Sequence, residues 1–296
     1  NDDLAYGVAV DGSGNVLLTG TFRGTVDFGG GALISTLGGY DSMVVKLAGS
    51  DGHHLWSRRF TNSGADIAYA LALDAAGNPV VTGSFNGRLD FGCGEHVTVG
   101  GHDAFVAKLT GAAGACLWSR RFGGTDTDRG QAVAIDGAGD VVVTGFFTFT
   151  ADFGTGPLTS TGGNDAFVVK LAGASGASVW ARRFGGAGIT YGLGVASAAD
   201  GAVVVTGTYS GAVDFGTGVL ASAGLEDVFV AELDAAGTPL SSGRFGGADT
   251  DGGFAVALGA GGDALLTGFF QQTAAVSGGL LRSAGAQDLF VLALPR

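Results

Sequence analysis

Proline is scarce in this chain, at 4 of 296 residues, and cysteine (2) and methionine (1) are scarcer still. Two cysteines, Cys93 and Cys116, are too few for a disulfide framework and read as free or buried thiols. Lysine stands only at positions 46, 108 and 170, and the formal net charge is −12. An acidic surface repels the phosphates of nucleic acids and anionic lipids, so neither is expected as a partner, whereas cations are attracted. No apolar run approaches the roughly 18 residues that a membrane-spanning helix needs. No segment carries an apolar stripe of 3.6-residue period. No signal or transit peptide opens the chain. Position 1 reads as the middle of a repeat, so the expectation is a mature or trimmed product.

Glycine, by contrast, fills 58 positions, far above the usual share of about 7%. Without a Gly-X-Y period it does not signal collagen. It punctuates short apolar runs such as Val141-Val142-Val143 and Val203-Val204-Val205. Glycine enters φ > 0 without steric cost, so this pattern suits strands joined by tight turns.

The dipeptide Thr-Gly marks a period, at Thr19-Gly20, Thr82-Gly83, Thr144-Gly145, Thr206-Gly207 and Thr267-Gly268. Subtracting the Thr numbers gives spacings of 63, 62, 62 and 61, the mark of a solenoid, a propeller or an array. Each copy holds four strand-like segments. The first alternates small and branched residues, as in Ala132-Val133-Ala134-Ile135-Asp136. The second ends in Thr-Gly and an aromatic. A long connection follows, carrying Asp-Phe-Gly at Asp27, Asp90, Asp152 and Asp214, where the fifth copy has Ala275-Val276-Ser277. The third segment opens with Asp41, Asp103, Asp165, Asp227 or Asp288. The fourth is Trp-x-Arg-Arg-Phe, at Trp56, Trp118 and Trp180, reduced in copy four to Arg244-Phe245. Branched and aromatic enrichment between turn signals argues all-β. Four antiparallel strands per unit, five times over, predict a single five-bladed β-propeller over 1–296. Its repeats run roughly over 1–60, 61–122, 123–184, 185–245 and 246–296. The last copy stops after Asp288–Leu294, so the fifth blade lacks an outer strand of its own, and 19 strands are expected in all.

The unit Asp-Ala-Phe-Val-x-Lys-Leu, then Trp-x-Arg-Arg-Phe-Gly-Gly, Ala-Val-x-x-Asp and Thr-Gly resembles the bacterial β-propeller repeat family abbreviated SBBP. It is more distantly similar to NHL-type propellers. The resemblance covers essentially the whole chain and implies a propeller of secreted or surface proteins of bacteria, with no catalytic residues in the repeat itself. It also implies that the Ala-Val-x-x-Asp strand lines a central channel and that the Trp-x-Arg-Arg-Phe strand lies outermost. The Asp-Phe-Gly connection is longer than that family's. The stretch from Lys108 to Trp118 also resembles the tryptophan-docking motif of quinoprotein dehydrogenases, which are larger, eight-bladed propellers.

Several residue sets carry charge or chemistry. Adjacent arginines on a strand point to opposite faces, and each pair reads as structural, one guanidinium meeting a repeated Asp. Asp3, Asp66, Asp128 and Asp251 occupy equivalent positions where the chain enters the innermost strand, with Thr190 in the gap. In a closed ring they would converge near the axis, and hard cations such as Ca²⁺ take six to eight oxygens. They are the candidate metal ligands, and Ca²⁺ is the candidate ion. His53, His54, His96 and His102 recur in no other copy and match no catalytic motif. The expected function is a non-catalytic extracellular or cell-surface binding and assembly module. The loops Leu33–Tyr40 and Glu95–His102 are its candidate recognition segments, and a strand from a neighbouring protein, from a further copy or from another part of the same protein completes the fifth blade. A glycan-binding module is the alternative, and a hydrolase or lyase using the axial Asp cluster is a third reading.

Overall fold

The computed structural model describes residues 2–35, 39–60, 64–276 and 278–296. Residues 36–38 of the Leu33–Tyr40 loop, and Ser277, lie outside the described residues. All regular structure is β-strand, and no helix is long and apolar enough to cross a membrane among the described residues.

Each repeat folds as one antiparallel sheet. In the first, Leu4–Val10 pairs with Val16–Phe22, which pairs with Asp41–Leu47, which pairs with His54–Phe60. The second repeats that order in Ile67–Leu73, Pro79–Phe85, Asp103–Leu109 and Cys116–Gly124. The third uses Arg129–Ile135, Val141–Asp152, Pro157–Leu171 and Ser178–Phe184. The fourth uses Thr190–Ser197, Val203–Tyr209, Asp227–Leu233 and Pro239–Gly247. The fifth has Gly252–Leu258, Ala264–Phe270 and Asp288–Leu294, and in it Asp288–Leu294 is the edge. We number these sheets blades 1 to 5. They are blades of a β-propeller, as four-stranded antiparallel units in tandem define it. The 19 expected strands are present, and eight more in the connections bring the total to 27 among the described residues.

The Asp-Phe-Gly connections add structure that the periodicity did not announce. Each forms a two-stranded hairpin, such as Arg88–Asp90 with Glu95–Val97 in blade 2 and Ala212–Asp214 with Val219–Ala221 in blade 4. In blade 3 the hairpin is continuous with the second and third strands. The Asp makes the turn: Asp27, Asp90, Asp152 and Asp214 each accept the backbone N–H groups two and four residues on, as a short carboxylate does in an Asx-turn.

The Thr-Gly marker has a packing cause. The threonine hydroxyl donates to a third-strand carbonyl in every copy, at 2.7–2.9 Å, for example Thr144 to Phe167 and Thr206 to Phe229. The glycine lies against a bulge in the inner strand, where the register shifts by one residue. A Cβ on Gly145 would stand 1.8 Å from the Arg129 carbonyl oxygen and 2.9 Å from the Phe167 ring.

The cores lie between blades. Val80, Val106 and Trp118 of blade 2 pack with Val143, Phe153 and Phe167 of blade 3. Val142, Val168 and Trp180 of blade 3 pack with Val205, Phe215 and Phe229 of blade 4. Covered on both sides, the second strands read as unbroken apolar runs. The inner strands pack in succession from Leu4–Val10 through to Gly252–Leu258. The expected closure into a ring of five is not seen. No strand pairing joins blade 5 to blade 1 among the described residues, and the outward faces of these two blades stay exposed.

Two glycine substitutions separate close approach from backbone conformation. Gly145→Ala forces a Cβ into backbone and is expected to cost about 1–3 kcal/mol as overpacking does, or more. Gly139 has φ +85° with open space around it, so Gly139→Ala carries only the left-handed penalty of roughly 1–2 kcal/mol. Urea unfolding midpoints that place Gly139→Ala below Gly145→Ala contradict this assignment.

Candidate functional site

The chemistry-bearing residues gather at the blade boundaries. The third-strand lysine pairs with an aspartate at the end of its own blade's inner strand: Lys46–Asp11 at 2.8 Å, Lys108–Asp74 at 2.8 Å and Lys170–Asp136 at 2.7 Å. Lys46 and Lys108 also donate to the carbonyls of Gly111 and Gly173, in the turn between third and fourth strands of the next blade. The outer-strand indoles do the same: Trp56 to Gly111, Trp118 to Gly173 and Trp180 to Ala235, at 3.0–3.1 Å. In blades 2 and 3 the first arginine of the pair joins them. Arg120 donates to the carbonyls of Ser175 and Gly176, and Arg182 to those of Ala236 and Gly237. Gly114, Gly176 and Gly237, all at positive φ, lie so close to the three indoles that a Cβ would approach within 2.5–2.8 Å. The lysines were not singled out by the sequence. Their recurrence at one repeat position in a chain almost without lysine was the signal.

The second arginine pairs within its blade, as expected: Arg59 with Asp41, Arg121 with Asp103, Arg183 with Asp165 and Arg244 with Asp227. These four carboxylates are fully buried. Each of the last three keeps one oxygen that is buried without a hydrogen-bond partner among the described residues. The Gly-Gly after Phe answers to this geometry. A Cβ on Gly123 would stand 2.6 Å from Asp103 and 2.7 Å from Asp128. The second glycine carries the outer strand onto the hairpin of the next blade, where Gly124 pairs with Ala151 and Gly247 with Ala274.

The metal candidates fall at separate places. Asp66, Asp128 and Asp251 are buried at the ends of different blades, and Asp3 is exposed. Asp128 and Asp251 each accept two backbone N–H groups, from Gly124 and Thr148 and from Gly247 and Gln271. Each lies beside the third-strand aspartate of the preceding blade, Asp128 by Asp103 and Asp251 by Asp227, across the first glycine. Among the described residues no group of three or more acidic, histidine or cysteine side chains is gathered in a way that could hold a metal ion. Burial pushes the Asp128 carboxyl up to about 7, with Asp103 and Asp126 adding to the rise. Burial also raises Asp103 and Asp165 despite their arginines, and raises Asp251, with Asp227 and Asp249 adding to it. The Asp11 carboxyl goes the other way, held well below the usual carboxylate range by Lys46.

Cys93 and Cys116 are joined as a disulfide, not free or buried thiols. The same contact recurs without sulfur in other blades. Gly30 faces His54, and Gly154 faces Ser178, the first residue of its outer strand. The hairpin therefore always folds onto the start of the outer strand, and only blade 2 has a cysteine on each side. A spacing of 23 residues could not show this until the connection was known to be a hairpin. Nearby, His96 Nε2 lies 2.8 Å from the Ser119 hydroxyl. Ser119 is 6% exposed, so the hydroxyl of this pair is buried. His54 similarly meets Ser57 at 3.1 Å.

The ends of the blade series carry the other notable surface. Leu289 and Val291 on the outward side of blade 5 are 77% and 72% exposed, whereas their blade 4 equivalent Val228 is buried against blade 5. Val8 and Val10 on blade 1 are 65% and 61% exposed. Their blade 2 equivalents, Leu71 and Leu73, pack into the cluster that holds Leu17 and Val44 of blade 1.

No protein-family model matches the chain, and no curated protein matches it. Among solved structures it is similar to BamB from Moraxella catarrhalis, at 15% identity over 96% of this chain and 76% of that one, with a TM-score of 0.39. It is similar to the Dos1 propeller, at 11% identity over 95% and 72%, with a TM-score of 0.45. It is similar to a protein of unknown function from Bacteroides caccae, at 13% identity over 82% of each, with a TM-score of 0.35. Likenesses this distant carry no function across, and the β-propeller assignment rests on the repeat and strand order of the chain itself.

Asp128 supplies a pH test. A carboxyl whose folded pKa is raised favours the folded state below the unfolded pKa of about 4, and loses that effect as pH rises through its folded value. Asp128→Asn stays neutral throughout. Its melting temperature is expected to gain on that of the unaltered chain as pH rises from about 4 toward 7. A difference that does not change with pH removes the assignment.

Proposed function

We propose that this chain is a non-catalytic binding and assembly module built on five propeller blades of the SBBP-like repeat, working outside the bacterial cell or at its surface. One observation carries the reading: the two end blades expose apolar faces that every internal boundary buries. The blade 5 face is the kind that meets a following blade, and the blade 1 face is the kind that meets a preceding one. A second copy of this chain supplies the complementary face, giving a head-to-tail contact. Exposed apolar patches of this kind mark interaction sites. The Cys93–Cys116 disulfide supports an oxidising compartment. The repeated carboxylates and guanidiniums are engaged in pairs and turns, which supports a scaffold over a hydrolase or lyase.

Sedimentation velocity over a wide concentration range tests this. The unaltered chain is expected to associate, and the double variants Leu289→Lys/Val291→Lys and Val8→Lys/Val10→Lys each to weaken association at least tenfold, about 1.4 kcal/mol. A chain that remains monomeric throughout, or that associates equally well with both faces charged, overturns the reading.

A further inference from the structure

Blade 5 ends on the edge strand Asp288–Leu294, whose equivalents in blades 1 to 4 are all covered by a fourth strand. Its opening residue is set for one. Asp103, Asp165 and Asp227 each accept a backbone N–H from four residues upstream, from Val99, Thr161 and Ala223, and then meet the second arginine of the fourth strand. Asp288 accepts the same N–H, from Ala284 at 2.6 Å, and forms no ion pair among the described residues. A depression of about 600 Å³ beside it is lined by Phe270, Arg282, Asp288 and Phe290.

Blade 4 indicates how such a strand arrives. At each earlier boundary, a lysine, a tryptophan or the first arginine reaches into the turn between third and fourth strands of the next blade. At the fourth boundary all three are replaced, by Glu232, Ser241 and Gly243, and the lysine's aspartate partner is replaced by Ala198. Where that turn would stand, Arg296 makes an ion pair with Glu232 at 2.7 Å instead. Blade 4 is therefore not built to clasp a hairpin turn on blade 5. A fourth strand on blade 5 would lack the clasp that holds the turn at each earlier boundary, as a strand added from another chain does.

We infer that the edge strand Asp288–Leu294 takes up, in trans, an extended segment of a partner protein carrying Arg-Phe-Gly-Gly, with the arginine on Asp288. The internal copies set the register. Ala104 faces Phe122, Phe105 faces Arg121 and Val106 faces Arg120, so the incoming Phe lies opposite Leu289 and the incoming Arg opposite Phe290. Glycine must follow the Phe, because a Cβ at Gly123, Gly185 or Gly246 would collide with the carboxylate of Asp103, Asp165 or Asp227. Addition of a strand to a sheet edge draws its affinity from main-chain hydrogen bonds and its selectivity from side chains at alternate positions. This inference rests on the assembly reading only in taking blade 5 as an open end.

The probe is a labelled peptide of the chain's own outer-strand sequence, Ser-Val-Trp-Ala-Arg-Arg-Phe-Gly-Gly, followed by fluorescence anisotropy against the full chain. Saturable binding is expected, with slowed amide exchange at Asp288–Leu294. Asp288→Asn in the protein is expected to weaken it at least tenfold, as is alanine in place of the first glycine of the peptide. Binding no tighter than that of a scrambled peptide overturns the inference, as does binding that protects a different strand or ignores both changes. Self-association in the sedimentation experiment with no peptide binding here sinks this inference and leaves the assembly reading standing. Peptide binding to a strictly monomeric chain does the reverse.

Discussion

The structure depends on side chains that leave one blade and end on the backbone of the next. An indole N–H, a lysine ammonium and a guanidinium converge on the carbonyls of a single turn, as Trp118, Lys108 and Arg120 do around Gly173–Gly176. A turn carbonyl with no other donor would be a buried cost. The preceding blade satisfies it, so each blade completes the hydrogen bonding of its successor. The same three donors hold the outer strand against the boundary, which fixes where the hairpin of the next blade can lie. Phe60 then meets Phe91, Phe122 meets Phe153 and Phe184 meets Phe215, with ring centroids 4.8–5.8 Å apart.

A second layer of order comes from carboxylates placed where water cannot reach them. Asp103 sits at 0% exposure with one arginine and one backbone N–H, and Asp128 stands across a glycine from it. Two carboxyls so close and so buried cannot both carry full charge without cost. Their proximity follows from the Gly-Gly step, which brings the end of the outer strand under the hairpin of the following blade. Architecture and electrostatics at the boundary therefore share one cause.

Much of this was legible in the sequence, because the chain writes its unit several times. The Thr-Gly period gave the unit, and the adjacency of two arginines on a strand told that the two would face opposite ways. The truncated fifth copy announced the open edge. Other features were not legible, for physical reasons. Asp3, Asp66, Asp128 and Asp251 share a repeat position, which a closed ring of blades would bring together near its axis. A repeat position specifies where a residue sits in its blade, not whether the blades close. The disulfide depended on a hairpin folding back across an outer strand, a contact that no local pattern records. The lysines stand near the end of an apolar strand, and the strand pattern does not name their partners. For Lys46 and Lys108 the carbonyl of a neighbouring turn, 65 residues further on, gives the place.

The three lysines have one more consequence. Each ammonium is held by a carboxylate and buried at a blade boundary, so no lysine side chain lies freely on the exterior. Chemistry that requires an accessible, unprotonated lysine amine, such as acylation, glycation or isopeptide linkage, finds little to react with while the blades are packed. Trypsin is likewise confined to arginine. A lysine that becomes reactive in this chain reports that two blades have come apart.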